Sequence, residues 1–161
     1  EHNNISDIMN LTADILTAIK IEPILQISNI NIPKLISTEL NISIDILKNG
    51  EISELLKLNC DWLDSLLRVK DIKSLENIIE KVPNILKKEL ETLLEKSREV
   101  NYSNIIIAPM YYGSLKYYNG VYYRVIDKNL VLCRGGMYET DGISSLGFAL
   151  YTDNLLKMLE G

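Results

Sequence analysis

The sequence predicts an α+β fold: an antiparallel sheet backed by helices, with an all-helical insertion in the middle of the chain. Two observations carry that expectation. Apolar residues recur at helical spacing through most of the first hundred positions, and after Asn101 the period shortens to that of strands. The strands then come grouped together and are followed by one last helical stretch, an order that favours an antiparallel sheet over alternating strand–helix units. Residues 1–40 and 101–161 are expected to form the α+β core, and residues 41–100 the helical insertion.

Ile5, Ile8, Met9, Thr12, Ile15, Leu16 and Ile19 share one helical face, and Asn4 or Ser6 can cap its start. Pro23 ends that segment. Ile24-Leu25-Gln26-Ile27 is short, β-branched and flanked by breakers, which reads as a strand. Pro33 suits the first turn of a helix that ends near Leu40. From about Asn41 to Val100 the pattern is helical, with a break at Asn49-Gly50. Ile52, Leu55, Leu56, Leu58, Trp62, Leu63, Leu66 and Leu67 carry it forward, and Ser74 with Asn77-Ile78-Ile79 continues it. Pro83 is placed to open a last helix whose one face holds Ile85, Leu86, Leu90, Leu93 and Leu94. A small leucine-cored unit is expected there, because the apolar seam is too short to specify a coiled coil. Ile105-Ile106-Ile107-Ala108 is an uninterrupted apolar run, the pattern of a strand covered on both faces. Tyr117–Ile126 and Leu130–Cys133 read as a hairpin turning at Asp127-Lys128-Asn129. Gly135-Gly136 marks a bend or a close approach of a ligand to the backbone. From Leu146 to Leu159 the pattern reads as helical again, through Leu150, Leu155 and Leu156.

Composition narrows the function classes. With 47% hydrophobic and 24% charged residues in 161, the chain can bury one core and is not a disordered segment. A net charge of −5 argues against a dedicated nucleic-acid binder, which needs a basic face to offset phosphate charge. The local cluster of Lys87, Lys88, Lys96 and Arg98 reads as a solvated helix face. Cys60 and Cys133 lack a paired motif, as expected of reduced thiols in a cytoplasmic protein. His2 is the only histidine, so neither a zinc site nor a His-based catalytic pair is expected, and no cofactor is called for. No apolar run reaches the roughly 18 residues of a membrane span, and no signal-peptide pattern is visible. The first residue is Glu1 rather than Met, which fits a trimmed chain or a piece of a longer one.

Three blocks carry the most specific information. Gly113 to Arg124 reads Gly-Ser-Leu-Lys-Tyr-Tyr-Asn-Gly-Val-Tyr-Tyr-Arg; Cys133 to Glu139 reads Cys-Arg-Gly-Gly-Met-Tyr-Glu; Leu146 to Leu156 reads Leu-Gly-Phe-Ala-Leu-Tyr-Thr-Asp-Asn-Leu-Leu. Tyr117-Tyr118-Asn119-Gly120 is similar to the Leu-Asp-Tyr-Tyr-Thr-Gly signature of histidyl-tRNA synthetases and of their paralogue, the regulatory subunit of ATP phosphoribosyltransferase. Gly135–Glu139 resembles the Gly-Gly-Arg-Tyr-Asp of that family, and Gly147–Leu156 resembles motif 3 of class II synthetases. The order helix, strand, helix, helical insertion matches the family over residues 5–100, though without residue-level motifs. The resemblance therefore spans nearly the whole chain and rests on about 40 residues of the three blocks. Asn-Gly is also a common turn dipeptide, so any one block alone carries little.

The departures from the family pattern define the expected function. The position of an Arg that contacts activated histidine is Gly113, that of the motif 3 Arg is Asn154, and that of the Gly-Gly-Arg-Tyr-Asp Arg is Met137. Neither Asn nor Met replaces a fixed cation with a bidentate fork, so amino-acid activation is expected to be lost. The resemblance thus implies a non-catalytic protein. Its role would be that of an ATP phosphoribosyltransferase regulatory subunit in histidine biosynthesis, or the C-terminal half of one, which binds the short-form catalytic subunit. Two alternatives stay open: a fragment of a divergent histidyl-tRNA synthetase, and a stand-alone synthetase-like interaction module. A histidine pocket is implied at Leu115, Tyr117, Tyr118, Gly135, Gly136 and Tyr138, where a tyrosine ring and hydroxyl can hold an imidazole. Hairpin packing is the competing explanation for the same tyrosines. Motifs 1 and 2 have no match, so an exposed sheet edge is expected, covered by another chain or by self-association into a homo-oligomer.

Overall fold

The computed structural model describes residues 4–113 and 118–160. Helix α1 (Ile5–Ala18) leads into strand β1 (Ile24–Asn29) and helix α2 (Asn31–Glu39). Five helices follow: α3 (Ile44–Lys48), α4 (Ile52–Leu56), α5 (Asp61–Leu67), α6 (Ile72–Ile79) and α7 (Asn84–Arg98). Strands β2 (Ile105–Ile107), β3 (Tyr118–Asp127), β4 (Leu130–Thr140) and β5 (Ile143–Leu150) precede the last helix, α8 (Thr152–Glu160). Local chemistry explains most of these boundaries. The Asn4 side chain accepts from Ser6 N at the start of α1, as expected of a capping residue. Asp71 and Ser74 form a reciprocal capping box on α6, and Pro83 occupies the N-cap of α7. Pro33 lies in the first turn of α2, where its missing N–H is no loss.

The sheet order is β2-β1-β3-β4-β5. The run β1-β3-β4-β5 is antiparallel throughout, and β2 joins β1 in parallel at one edge. This is the expected α+β architecture with one parallel pair added. The β3–β4 hairpin turns at Lys128-Asn129, since Asp127 pairs with Leu130. Asn119-Gly120, by contrast, does not turn the chain. It lies inside β3 at a register shift, with Gly120 at φ +83° and its carbonyl accepting from Ile30 N at 3.0 Å. A bulge of that kind requires a left-handed residue, and glycine adopts it without a Cβ clash.

Two elements differ from the sequence expectation. Residues 146–150 belong to strand β5 and not to the final helix, which starts only at Thr152. Leu146, Phe148 and Leu150 pack against the core in alternation, a period of two that a count of leucines at three- and four-residue spacing cannot separate from a helix. Strand β2 is also an edge strand and not a strand covered on both faces, because Ile106 remains 37% exposed. The opposite edge, β5, carries Ile143 at 67% exposure.

Helices α1 and α7 cover one face of the sheet, and α8 packs against β4. The main core joins Met9 and Leu16 of α1, Leu86, Leu90 and Leu93 of α7, and Val121, Tyr123, Val125 and Cys133 of the sheet. Leu47, Leu63, Leu66, Leu75 and Ile78 of the shorter helices continue the same cluster. Each fully buried Leu or Ile of this kind stabilises by about 1.5–3 kcal/mol before entropy is counted. Polar ties fix the helices to the sheet. Asn29, wholly buried at the end of β1, donates through Nδ2 to Glu89 Oε2 on α7 at 2.8 Å. Glu99, just past α7, accepts from Asn4 Nδ2 at 2.7 Å and from the Ser6 hydroxyl, which locks α1 to α7.

Candidate functional site

The second face of the sheet is built from the alternate residues of each strand. Pairing places Gln26, Arg124, Arg134 and Ala149 in one row across β1, β3, β4 and β5. The next row is Ser28, Tyr122, Gly136 and Gly147, and Tyr118, Tyr138 and Ser145 form a third. Helices α1 and α7 lie on the other side, so this face keeps a small apolar cluster of its own: Ile30, Tyr118 and Tyr122, with Tyr111 and Tyr112 packed against it.

An open cleft of about 470 Å³ lies here, lined by Tyr118, Arg134, Tyr138, Thr140, Gly147 and Tyr151 among others. Tyr118 and Arg134 also line a much smaller cavity of about 10 Å³, together with Tyr111, Gly113, Tyr122 and Arg124. Tyr118 stacks on Tyr122 with ring centroids 5.3 Å apart, and the Tyr138 ring lies over Gly147, whose missing Cβ would stand 3.3 Å from it. Tyr122 is a structural pivot. Its hydroxyl donates to Tyr111 O at 2.6 Å and accepts from Gly113 N at 2.8 Å. Burial raises the pKa of that hydroxyl well above the ordinary tyrosine value, so it stays protonated and can serve as the donor.

The arginine side chains sit differently from the tyrosines. Arg124 donates from Nη1 to Tyr111 Oη at 3.0 Å and from Nη2 to Gln26 Oε1 at 3.0 Å, and its guanidinium carbon lies 4.0 Å from the Tyr111 ring centroid. Arg124 Nε and Gln26 Nε2 are buried donors with no acceptor among the described residues. No acidic residue, histidine or cysteine lines either cavity among the described residues.

The structure brings Tyr118, Gly136 and Tyr138 together on the cleft face. It does not bring Gly135 there. That glycine faces the helices, where an added Cβ would stand 2.5 Å from the Tyr123 ring. Leu115 and Tyr117 lie outside the described residues. Gly113 packs against Tyr122, whose ring would stand 3.0 Å from a Cβ at that position. The Met137 side chain packs against the main core, away from the cleft. Asn154, in the first turn of α8, donates through Nδ2 to Val131 O at 2.8 Å and so anchors the helix to β4. Sequence reasoning missed Gln26, Arg124 and Arg134. The available signal was a polar residue at every second position of an otherwise apolar strand, as in Leu-Gln-Ile and Tyr-Arg-Val.

No protein-family profile matches the sequence. Two curated proteins do. The ATP phosphoribosyltransferase regulatory subunit of Wolinella succinogenes is 33% identical over 151 residues, which is 94% of this chain and 52% of the relative. The ATP phosphoribosyltransferase regulatory subunit of Helicobacter hepaticus is 31% identical over 156 residues, 97% of this chain and 55% of the relative. The chain thus spans about half the length of the curated relatives it matches. Among solved structures, an ATP phosphoribosyltransferase regulatory subunit/histidyl-tRNA synthetase from Bacillus halodurans superposes with a TM-score of 0.70 at 18% identity, covering 98% of this chain and 51% of that one. A histidyl-tRNA synthetase from Nostoc gives a TM-score of 0.71 at 18% identity, covering 96% of this chain and 46% of that one. An ATP phosphoribosyltransferase complex from Thermotoga maritima gives 0.55 at 17% identity, covering 92% of this chain and 62% of that one. The fold is therefore that of a class II synthetase-like domain. The resemblance read from the three sequence blocks extends over nearly the whole chain.

Proposed function

We propose that this chain serves as a non-catalytic regulatory subunit of ATP phosphoribosyltransferase, or as the half of one that carries the tyrosine-lined cleft, in histidine biosynthesis. The observation that carries the reading is the similarity to two regulatory subunits across 94% and 97% of the chain. Three features of the site support the non-catalytic part. Gly113 offers no cation and no room for one beside Tyr122. Met137 is committed to the core, and Asn154 is committed to the β4 backbone. None of the three positions can supply a guanidinium to a developing phosphate charge. On this reading residues 41–100 are the helical insertion of the synthetase-like core, and the protein is cytoplasmic.

The partner would be the short-form catalytic subunit, and histidine the ligand of the cleft, held by Tyr118 and Tyr138 over the Gly136 strand. Leu115, Tyr117 and Gly135 complete the proposed site in sequence, Gly135 through its strand position next to Gly136, since its open side faces the Tyr123 ring and the helices. The open β5 edge, with Ile143 exposed, fits association with further strands from the same polypeptide or from a second copy in a homo-oligomer. The test is reconstitution: the protein is mixed with the short-form catalytic subunit and followed by sedimentation and by phosphoribosyl-ATP formation. Complex formation with increased turnover is expected. No complex and no stimulation would overturn the proposal, as would ATP–pyrophosphate exchange dependent on histidine.

A further inference from the structure

Helices α3, α4 and α5 and the segment after β2 enclose a second groove, about 380 Å³ and mostly apolar, lined by Leu47, Leu55, Leu67, Met110, Tyr111 and Tyr112 among others. Residues 110–113 form its sheet-side wall and belong to no helix or strand. Sheet and helices hold that segment from opposite sides. On the sheet side, the Tyr122 hydroxyl donates to Tyr111 O and accepts from Gly113 N, and Arg124 donates to Tyr111 Oη. On the helix side, Lys48 Nζ of α3 lies 5.6 Å from the Tyr112 ring centroid and 3.5 Å from Asp45 Oδ1. Tyr111 lines both the groove and the inner cavity, and Tyr118 lines both the inner cavity and the cleft. Tyr118 in turn stacks on Tyr122. Contacts therefore run without a break from the cleft, through Tyr118 and the Tyr122 hydroxyl, to the wall of the groove.

We propose that residues 110–113 are a strap that couples the cleft to the groove, so that filling the cleft reshapes the face formed by α3, α4 and α5. The inference rests on the reading of the cleft as a histidine site and adds where its occupancy is felt. A ligand that displaces the Tyr118 ring must also displace Tyr122, because close-packed rings do not yield independently. The Tyr122 hydroxyl bonds the strap at two backbone positions, so the movement passes to the backbone. The Tyr111 ring cannot follow freely. It lies 4.0 Å from the Arg124 guanidinium carbon, and Arg124 is tied to Gln26 on β1. The strap then turns about that ring, and Met110 and Tyr112 carry the change to the groove. Such a coupling is reciprocal: a change on the groove side must alter affinity in the cleft.

Protein carrying fluorotyrosine is titrated with histidine, and the fluorine signals of Tyr112, Tyr118 and Tyr138 are assigned with Tyr112→Phe, Tyr118→Phe and Tyr138→Phe. All three signals should follow one dissociation constant. In Tyr122→Phe, Tyr118 and Tyr138 should still titrate, which shows a folded variant, while Tyr112 stays still. Lys48→Met, at the groove, should change histidine affinity in calorimetry by about threefold, the size of an exposed cation–π contact. Lys87→Met, which removes a surface ion pair with Glu80, should leave it unchanged. A Tyr112 signal that ignores histidine while the cleft signals move, or that follows it in Tyr122→Phe, would overturn the proposal. So would parental affinity in Lys48→Met, which decides alone if Tyr122→Phe unfolds. Histidine that moves no cleft signal counts against the ligand reading only; Lys48→Met must then shift the Tyr118 signal of the ligand-free protein, and an unmoved signal overturns the coupling.

Discussion

Gly135→Ala should be among the most damaging single-methyl additions to this protein. The added Cβ would stand 2.5 Å from Tyr123 Cε1, 2.6 Å from Cζ and 2.7 Å from the hydroxyl oxygen. Real Cβ atoms do not approach carbon that closely, so either the ring or strand β4 must move. The ring cannot swing away freely. Tyr123 is wholly buried, and its hydroxyl shares a 2.6 Å hydrogen bond with Thr12 Oγ1 on α1. Overpacking in a closed core costs about 1–3 kcal/mol. Pulling the Tyr123 hydroxyl off Thr12 in a buried site adds about 1–3 kcal/mol. The sum, about 2–6 kcal/mol, is a large share of the 5–15 kcal/mol that typically holds a domain together. At roughly 2–4 °C per kcal/mol for a chain of this size, the melting temperature should fall by about 5–20 °C. Thermal and urea unfolding of Gly135→Ala, Tyr123→Leu and the double variant supply a full cycle. The double variant should be more stable than the sum of the two changes predicts, because removing the ring end relieves the clash. A Gly135→Ala protein that melts with the parent, or a strictly additive cycle, would refute the account of Gly135 as the seat of the Tyr123 ring.

Three further outcomes are expected. Burial pushes the Cys133 thiol up to about 11, so Ellman's reagent at pH 8 should react with the half-buried Cys60 and reach Cys133 only on unfolding. Because the folded protein holds that proton more tightly than the unfolded chain, the stabilising effect is present at neutral pH and is lost as pH rises from about 9 toward 11, measurable as a falling melting temperature that Cys133→Ala would flatten. Hydrogen bonds from Ser6 and then Asn4 hold the Glu99 carboxyl below its ordinary range; its contribution is present above the unfolded carboxylate pKa and disappears as pH falls through the lower folded value, so the gap in melting temperature between the parent and Glu99→Gln should narrow on acidification below about pH 4. Asn29→Ala removes the donor to Glu89 and the acceptor of Asn31 N in a fully buried position, and should lower stability by about 2–3 kcal/mol in urea unfolding, whereas Asn104→Ala at the exposed end of β2 should change it by less than about 1 kcal/mol.

The tyrosine block also shows how neighbouring residues serve the packing of the two opposite faces of the sheet. Tyr122 and Tyr123 are neighbours in sequence and point to opposite faces. One organises the Tyr111–Gly113 backbone beneath the cleft, and the other ties the sheet to α1. Gly135 and Gly136 divide in the same way. Each is a glycine because a tyrosine ring lies over it, Tyr123 on one side and Tyr118 on the other, where the Tyr122 Cβ also crowds it. The two glycines the sequence offers as a ligand floor are therefore first of all the clearance that aromatic packing demands.

Local patterns determined much of this protein. The caps at Asn4 and Pro83, the strand at Ile24–Ile27, the hairpin at Lys128-Asn129 and the order of helices are set by residues close in the chain, where capping, φ preference and side-chain period act directly. The three motif blocks, by their order and spacing, pointed to the synthetase-like fold and to its regulatory paralogue. Only the tertiary structure decided the rest. Residues 143–150 are a strand because β4 offers them eight partners in register, and no propensity within the segment encodes that partner. Arg124 and Arg134 are ten positions apart in sequence and directly opposed in space, since one register shift in the hairpin sets which residues face each other. Gln26, 98 positions from Arg124, meets it only because β1 inserts between β2 and β3. A charge constellation of that kind depends on hydrogen-bonded register between distant strands, and register is a property of the assembled sheet.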